Sequence, residues 1–380
     1  YIFKLFYIEP VWSATRKSLN PAFRQPVLLS FMQVLNEESS LLLTEIESYA
    51  NRGEQDIFKT LLNAICRMAL QNVLGNEVRD MPCVQDRSML HSFKHVMDIC
   101  ADMFLSPWLA LKFVRICYGL EKEYAPALKV VRGFFSEFIV AKKAAEQNTT
   151  ERANIKVIDV VLDHLRQGTM SLETAVAECH EMIFAALITT TLTLSYALTM
   201  LAMYPEYQQQ LFEEISSVFP QSGHFEVKAD ELKLLPYLDM VINETLRLMP
   251  GIPAIGRSLS KDLRLSNGIV LPKGLQVAIG IVHLHRCPKL WGADANKFNP
   301  ENCSSSNLRE KHPYAYLPFS KGKRNCIGWK YALMSVKIAL IKLVRNYEFS
   351  TNERHEDMKF LPTVFMVPAK EPLLEIKKRV

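Results

Sequence analysis

Between Met182 and Met203 the chain runs for 22 residues without one charged side chain. A stretch this long and uncharged either crosses a bilayer as a helix or is wrapped by other elements on every side. Thr189, Thr190, Thr191, Thr193, Ser195 and Thr199 all fall inside it. Hydroxyls at that density suit the core of a large fold, where some can meet a ligand. Composition alone leaves both readings open, and the other motifs decide for a buried central helix.

Such a helix needs a large surround. The chain has 380 residues, 49% of them hydrophobic, enough for a sizeable core and against disorder. Its net charge of +5, from 45 basic and 40 acidic residues, is too mild to indicate a nucleic-acid partner. The eight cysteines, at 66, 83, 100, 117, 179, 287, 303 and 326, are scattered and contain no C-x-x-C pair. That excludes zinc ribbons, thioredoxin-like chemistry and a secreted disulfide scaffold, and favours a reducing, cytosol-facing location. Lys4, Glu9 and Pro10 interrupt the opening apolar run, so it holds neither a signal peptide nor a span. Asn148-Thr-Thr, Asn243-Glu-Thr and Asn302-Cys-Ser match the glycosylation sequon and are expected to be unused.

The pattern is mostly helical, without repeats or low-complexity linkers. Residues 9–19, 32–50, 56–75, 120–147 and 171–217 read as helices or helix pairs, with Pro205 opening a new one. Pro236 and Pro250 bracket a further helix over 237–249. Strand character concentrates near 252–280, including Ile269–Leu271 and Gln276–Ile279, and near 358–380.

The chemistry concentrates in Phe319-Ser-Lys-Gly322-Lys-Arg324-Asn-Cys326-Ile-Gly328. Gly322 and Gly328 allow backbone angles that a Cβ forbids, and a close approach to a flat ligand. Apolar residues at 327, 331, 334, 338 and 341 follow at helical spacing. Cys326 is thus expected at a helix N-terminus, where the dipole and free N–H groups lower a thiol's pKa. Arg324 is placed to pair with a carboxylate on whatever the thiolate binds.

Phe319, Gly322, Arg324, Cys326 and Gly328 meet all five fixed positions of the cysteine loop of the cytochrome P450 family, the haem-thiolate monooxygenases, which this segment resembles. Further segments resemble the family in its order. Glu244 and Arg247 lie on one helix face and match its Glu-x-x-Arg pair, which locks the cysteine-loop core. Phe298-Asn-Pro300-Glu301-Asn302 stands where the family has Pro-Glu-Arg-Phe, so Asn302 replaces an arginine and the third member of the lock is weaker or differently bonded. Trp12 and Arg16 match its W-x-x-x-R helix, which holds a haem propionate. Arg257 falls where another propionate-binding arginine is often found. Thr189 matches the threonine of its oxygen-activating helix. The preceding acid of that helix is Ile188 here and its glycine is Ala186, so Thr189 keeps a hydrogen bond but Ile188 cannot relay a proton. The other reading of Thr189–Thr191 is of core hydroxyls bonding back to the helix.

The resemblance implies a mainly α fold with small β-sheets, one P450 domain over residues 1–380, with its N-terminal β-rich part missing. Asn20-Pro-Ala-Phe and Asn243-Glu-Thr-Leu-Arg-Leu are most similar to the insect and fatty-acid branch called family 4. Some members of that branch ester-link haem through a glutamate. Ala185 stands at that position, so haem b, iron protoporphyrin IX, is expected to be non-covalent, with Cys326 as its ligand and Phe319 beside it. The resemblance further implies oxygen insertion into an apolar substrate (fatty acid, hormone-like lipid or xenobiotic), with Ala185, Ala186, Ile252, Ala254, Ile255 and Val364 as pocket wall. Electrons would come from an NADPH-cytochrome reductase at the cysteine face, drawn by Lys17, Lys321, Lys323, Lys330 and Lys337. The family sits at the cytosolic face of the endoplasmic reticulum membrane through an anchor that precedes the Trp/Arg helix. This chain begins without it, so a fragment or truncated form is expected, with an incomplete sheet and channel wall. The alternatives are a peroxide-rearranging haem enzyme that needs no reductase, and a catalytically silent haem protein.

Overall fold

The computed structural model describes residues 11–86, 88–145, 156–361 and 363–379. The opening segment 1–10 and the sequon at Asn148 lie outside the described residues.

The first half is helical: α1 (Val11–Leu19), α2 (Gln25–Ser30), α3 (Met32–Glu47), α4 (Phe58–Leu74), α5 (Pro82–Gln85), α6 (Ser88–Leu105), α7 (Lys112–Cys117), α8 (Glu121–Ala145) and α9 (Val157–Arg166), with the short strand β1 (Glu54–Gln55) between α3 and α4. α10 (Leu172–Met203), α11 (Pro205–Val218) and α12 (Pro236–Leu248) follow. Then come β2 (Ala254–Ser258), β3 (Leu263–Arg264), β4 (Val270–Leu271), β5 (Gln276–Gly280), α13 (Ile281–Leu284), α14 (Pro288–Trp291), α15 (Ser305–Glu310), α16 (Trp329–Asn346), β6 (Tyr347–Ser350) and β7 (Leu374–Lys378). The sheets among the described residues are small and antiparallel: β1-β7-β6, β2-β5 and β3-β4.

Where the hydrophobic period is helical, expectation and structure coincide: α3, α4 and α8 lie within the predicted spans, α8 in spite of Pro126 inside it. The 171–217 segment divides at Tyr204, whose φ of −127° and ψ of 76° leave the helical region. Pro205 disfavours helical geometry in the residue before it and then occupies the first turn of α11. Pro236 does the same for α12, one residue earlier than predicted. Both carboxylate oxygens of Glu214, on α11, accept the first free amides of α12, from Tyr237 at 2.7 Å and Leu238 at 2.9 Å. α9 lies in a stretch to which the sequence pattern assigned no element: Val157, Ile158, Val160 and Val161 have strand propensity, yet packing makes them helical. Among the described residues of 358–380, β structure is confined to β7 and one bridge between Phe360 and Pro368.

α10 runs through the middle, against α4, α8, α9, α12 and α16. Its most apolar stretch is 78% buried by these neighbours, so protein rather than lipid covers it. Most of the threonines bond back to their own helix, Thr191 to the Leu187 carbonyl at 2.7 Å, Thr193 to Thr189 at 2.8 Å and Thr199 to Ser195 at 2.9 Å, whereas the buried Thr190 hydroxyl has no protein partner. Each buried leucine around them contributes about 1.5–3 kcal/mol of transfer free energy. One stripe is left partly open: Met182, Ala185, Ala186 and Thr189 are half-buried between fully buried turns.

Candidate active site

The cysteine loop is a tight turn feeding α16. The Cys326 amide donates to the Phe319 carbonyl at 2.9 Å, and the Asn325 amide to Gly322 at 3.1 Å. Gly322 has φ +78°, a conformation that requires a missing Cβ, and Ser320 holds φ +58° despite its side chain. Gly328 differs from expectation. Its φ of −92° suits any residue, and an added Cβ would meet only Phe23 at 3.8 Å. Cys326 precedes that N-cap glycine by two residues.

The expected lowering of the thiol pKa is corrected by the structure. Burial by surrounding protein raises the Cys326 pKa, and this outweighs the lowering by the Gly328 N–H and the Arg16 charge. Yet Cys326 is exposed. A thiol both desolvated and accessible lies in a recess, not on an open face.

Cationic side chains gather at this loop. Arg16 donates from Nη1 to the Asn325 carbonyl at 2.8 Å, from Nη2 to Asn325 Oδ1 at 3.0 Å and from Nε to Asn20 at 3.0 Å. The Arg324 guanidinium stacks 3.7 Å from the centre of the Trp12 ring. Arg257, on β2, donates to the Ser320 hydroxyl at 3.1 Å. Trp12 and Arg16 from α1 and Arg257 from β2 thus converge on residues 320–326, which include Arg324. Asn325 was missed in the sequence because its role is to hold Arg16 through an amide that no spacing rule singles out.

The Glu244–Arg247 pair is fully buried, with contacts of 2.6 and 2.7 Å. Arg247 also donates to the carbonyls of His285 at 2.7 Å, Ala295 at 2.6 Å and Lys297 at 3.1 Å, so all five N–H groups are used. Its guanidinium lies 4.9 Å from the centre of the Trp291 ring. Glu244 Oε1 accepts from the Asn299 amide and the Asn302 side chain, each at 3.0 Å. Asn302 therefore joins the lock through one hydrogen bond from an uncharged donor to the Glu244 carboxylate, a differently bonded third member as anticipated. Full pairing is what makes a buried ion pair tolerable.

On α10, the Thr189 hydroxyl donates to the Ala185 carbonyl at 2.7 Å. The geometry is that of the core-hydroxyl reading. Ile188 is buried beside it. A Cβ added at Gly251 would come within 3.3 Å of the Thr189 Cβ, so the chain leaving α12 passes close against this turn. Three residues on, that chain becomes β2 and carries Arg257 to the cysteine loop. Of the expected wall residues, Ala185, Ala186, Ile255 and Val364 are half-buried, while Ile252 and Ala254 are exposed.

Lys17, Lys321, Lys323 and Lys330 are exposed. Lys337 leaves the expected basic patch, because it pairs with Asp239 at 2.5 Å.

The cytochrome P450 family pattern matches residues 4–376. Over 377 residues the chain is 41% identical to "Probable cytochrome P450 313a4" of Drosophila melanogaster, spanning 98% of this chain and 76% of that one. It is 38% identical to "Probable cytochrome P450 313a3" of the same organism over 369 residues, spanning 97% and 75%. With "Cytochrome P450 4V2" of Rattus norvegicus it shares 28% identity over 387 residues, 97% and 72% of the two chains.

Proposed function

This chain belongs to the cytochrome P450 family, and we propose that it is a monooxygenase holding non-covalent haem b on Cys326 and oxygenating an apolar small molecule. The observation that carries the reading is the convergence of Arg16, Arg257 and the Trp12-stacked Arg324 around one exposed thiol in a recess. These residues fit the group: one soft ligand for iron, and cations for two propionates. When bound, haem supplies oxygen activation, which an axial thiolate favours.

The protein's own contribution follows from its residues. Cys326 would bind as thiolate, and the Gly328 N–H and Arg16 would stabilise that charge. Arg16, Arg257 and Arg324 would orient the propionates, and Phe319 would close one side of the loop. Ala185, Ala186, Ile252, Ala254, Ile255 and Val364 would form an apolar wall that excludes water and admits a lipid-like or xenobiotic substrate. Thr189 would offer its oxygen as a hydrogen-bond acceptor, since its proton is engaged by Ala185.

Electrons would arrive from an NADPH-dependent reductase at the cysteine face, where four lysines remain exposed. By likeness to the family, the site of action is the cytosolic face of the endoplasmic reticulum membrane. The test is the ferrous–CO spectrum of haem-loaded protein. The red-shifted band of thiolate ligation is expected, and its absence from folded, haem-bearing protein would refute the ligand assignment. NADPH-dependent product formation with added reductase then tests the reaction.

A second reading is favoured by one observation: no acid stands beside Thr189, and Ile188 is apolar. A substrate that brings its own peroxide needs no proton relay. Turnover of organic hydroperoxides without reductase, at rates above the NADPH-driven reaction, would select this reading.

A further inference from the structure

His285 joins the buried ion pair to the segment that enters the cysteine loop. It is fully buried at the end of α13. The Leu317 amide donates to Nε2 at 2.8 Å. An amide N–H can only donate, so Nε2 carries no proton and the ring proton sits on Nδ1. Nδ1 then donates to the Arg247 carbonyl at 3.1 Å. Arg247 answers through its guanidinium, which donates to the His285 carbonyl at 2.7 Å. The Tyr316 and Trp291 rings hold the imidazole in place, with centroids 5.2 and 6.4 Å away. Burial, the largest influence, brings its pKa down to about 4, so the neutral tautomer persists near neutral pH.

The link continues beyond Leu317. The Leu317 carbonyl accepts the Ser320 amide at 3.0 Å, and the Phe319 carbonyl accepts the Cys326 amide at 2.9 Å. The path from the lock to the cysteine is thus short and hydrogen-bonded throughout.

We propose that His285 is a positioning residue for the cysteine ligand: Nε2 alone holds the entry of the cysteine loop through the Leu317 amide, while two bonds, from Nδ1 to the Arg247 carbonyl and from the Arg247 guanidinium to the His285 carbonyl, anchor the residue to the lock, so loss of the Nε2 bond and not of the Nδ1 bond frees the loop. The inference rests on Cys326 being the axial thiolate.

Two amide substitutions separate the two bonds. Asn reaches the Nδ1 position, so His285→Asn retains the bond to the Arg247 carbonyl and releases Leu317. Gln reaches the Nε2 position, so His285→Gln retains the Leu317 bond through its oxygen and releases Arg247. Each loses one buried hydrogen bond, and a residue that only fills space would respond alike to both. The readout is the ferrous–CO spectrum of the haem-loaded protein.

Unmodified protein is expected to show the thiolate band, and if it does not, the ligand assignment itself fails. Given that band, His285→Asn should raise the ratio of displaced to thiolate band roughly five- to tenfold, the worth of one hydrogen bond. His285→Gln should stay near the unmodified ratio. Equal ratios in the two variants, or a larger displacement in His285→Gln, overturn the proposal. If neither variant folds, histidine 15N shifts in the diamagnetic ferrous–CO form of the unmodified protein decide. A bare Nε2 supports the link, and a protonated Nε2 breaks it.

Discussion

The cysteine side and the threonine side of the site are built on opposite terms. On the cysteine side Arg247 spends all five N–H groups, Glu244 binds through both oxygens, and Arg16 makes two bonds to Asn325 of the loop and a third to Asn20. On α10, the Thr189 hydroxyl is turned back to Ala185 and Ile188 is buried beside it. One side fixes a ligand by redundancy. The other is apolar, turns Thr189, Thr191 and Thr193 back on their own helix, and leaves the buried Thr190 hydroxyl without a protein partner. Holding a thiolate and delivering protons are therefore separable tasks, and this chain invests in the first.

The comparison can be broken at several points. Cys326→Ser should abolish the thiolate ferrous–CO band outright, and any residual band would mean another ligand. Arg247→Ala leaves Glu244 charged and buried, so chemical denaturation should show a loss of about 3–5 kcal/mol. Acid should weaken both sides together. His180 on α10, His285 at the lock and His355 have pKa values lowered by burial from 6.5 to about 4. Stability from such neutral histidines is present above pH 6.5 and disappears as pH falls towards 4, by about 3 kcal/mol for each. Equilibrium unfolding at stepped pH measures that slope, and a flat profile contradicts it.

The threonine side predicts gains and indifference instead. Ile188→Asp should raise the share of consumed NADPH recovered as product, with proton delivery gaining up to ~10²-fold. An unchanged share means that the missing acid is not what limits this side. Thr189→Val should cost less than about 1 kcal/mol and lower that share only modestly, because the hydroxyl proton serves its own helix and only an acceptor oxygen is lost. A large fall would show that Thr189 reorients to work.

Legibility in the sequence followed the same division. Cys326, Arg324, Glu244 and Arg247 were readable because their spacing is dictated by a turn or a helix face. Arg16, Arg257 and Trp12 were readable only through a likeness of order, since nothing local shows that they meet. His285 was invisible. It acts through a carbonyl and an amide, which every residue has, so no side-chain pattern marks it. The thiol pKa was misjudged because a sequence shows the helix that follows Cys326 but not the protein that desolvates it. α9 was missed because its valines suit a strand until neighbouring helices supply a groove.

The uncharged helix has a consequence in time. α10 is complete at Met203, but α16, which covers part of it, begins only at Trp329. The difference is 126 residues (329 − 203), or roughly 6–25 s of synthesis at ~5–20 residues per second. α4, α8 and α9 are already made and can cover one flank during that delay. The flank awaiting α12 and α16 stays bare, so every newly made copy passes through an interval in which its least charged segment is open to chaperones and to other nascent chains.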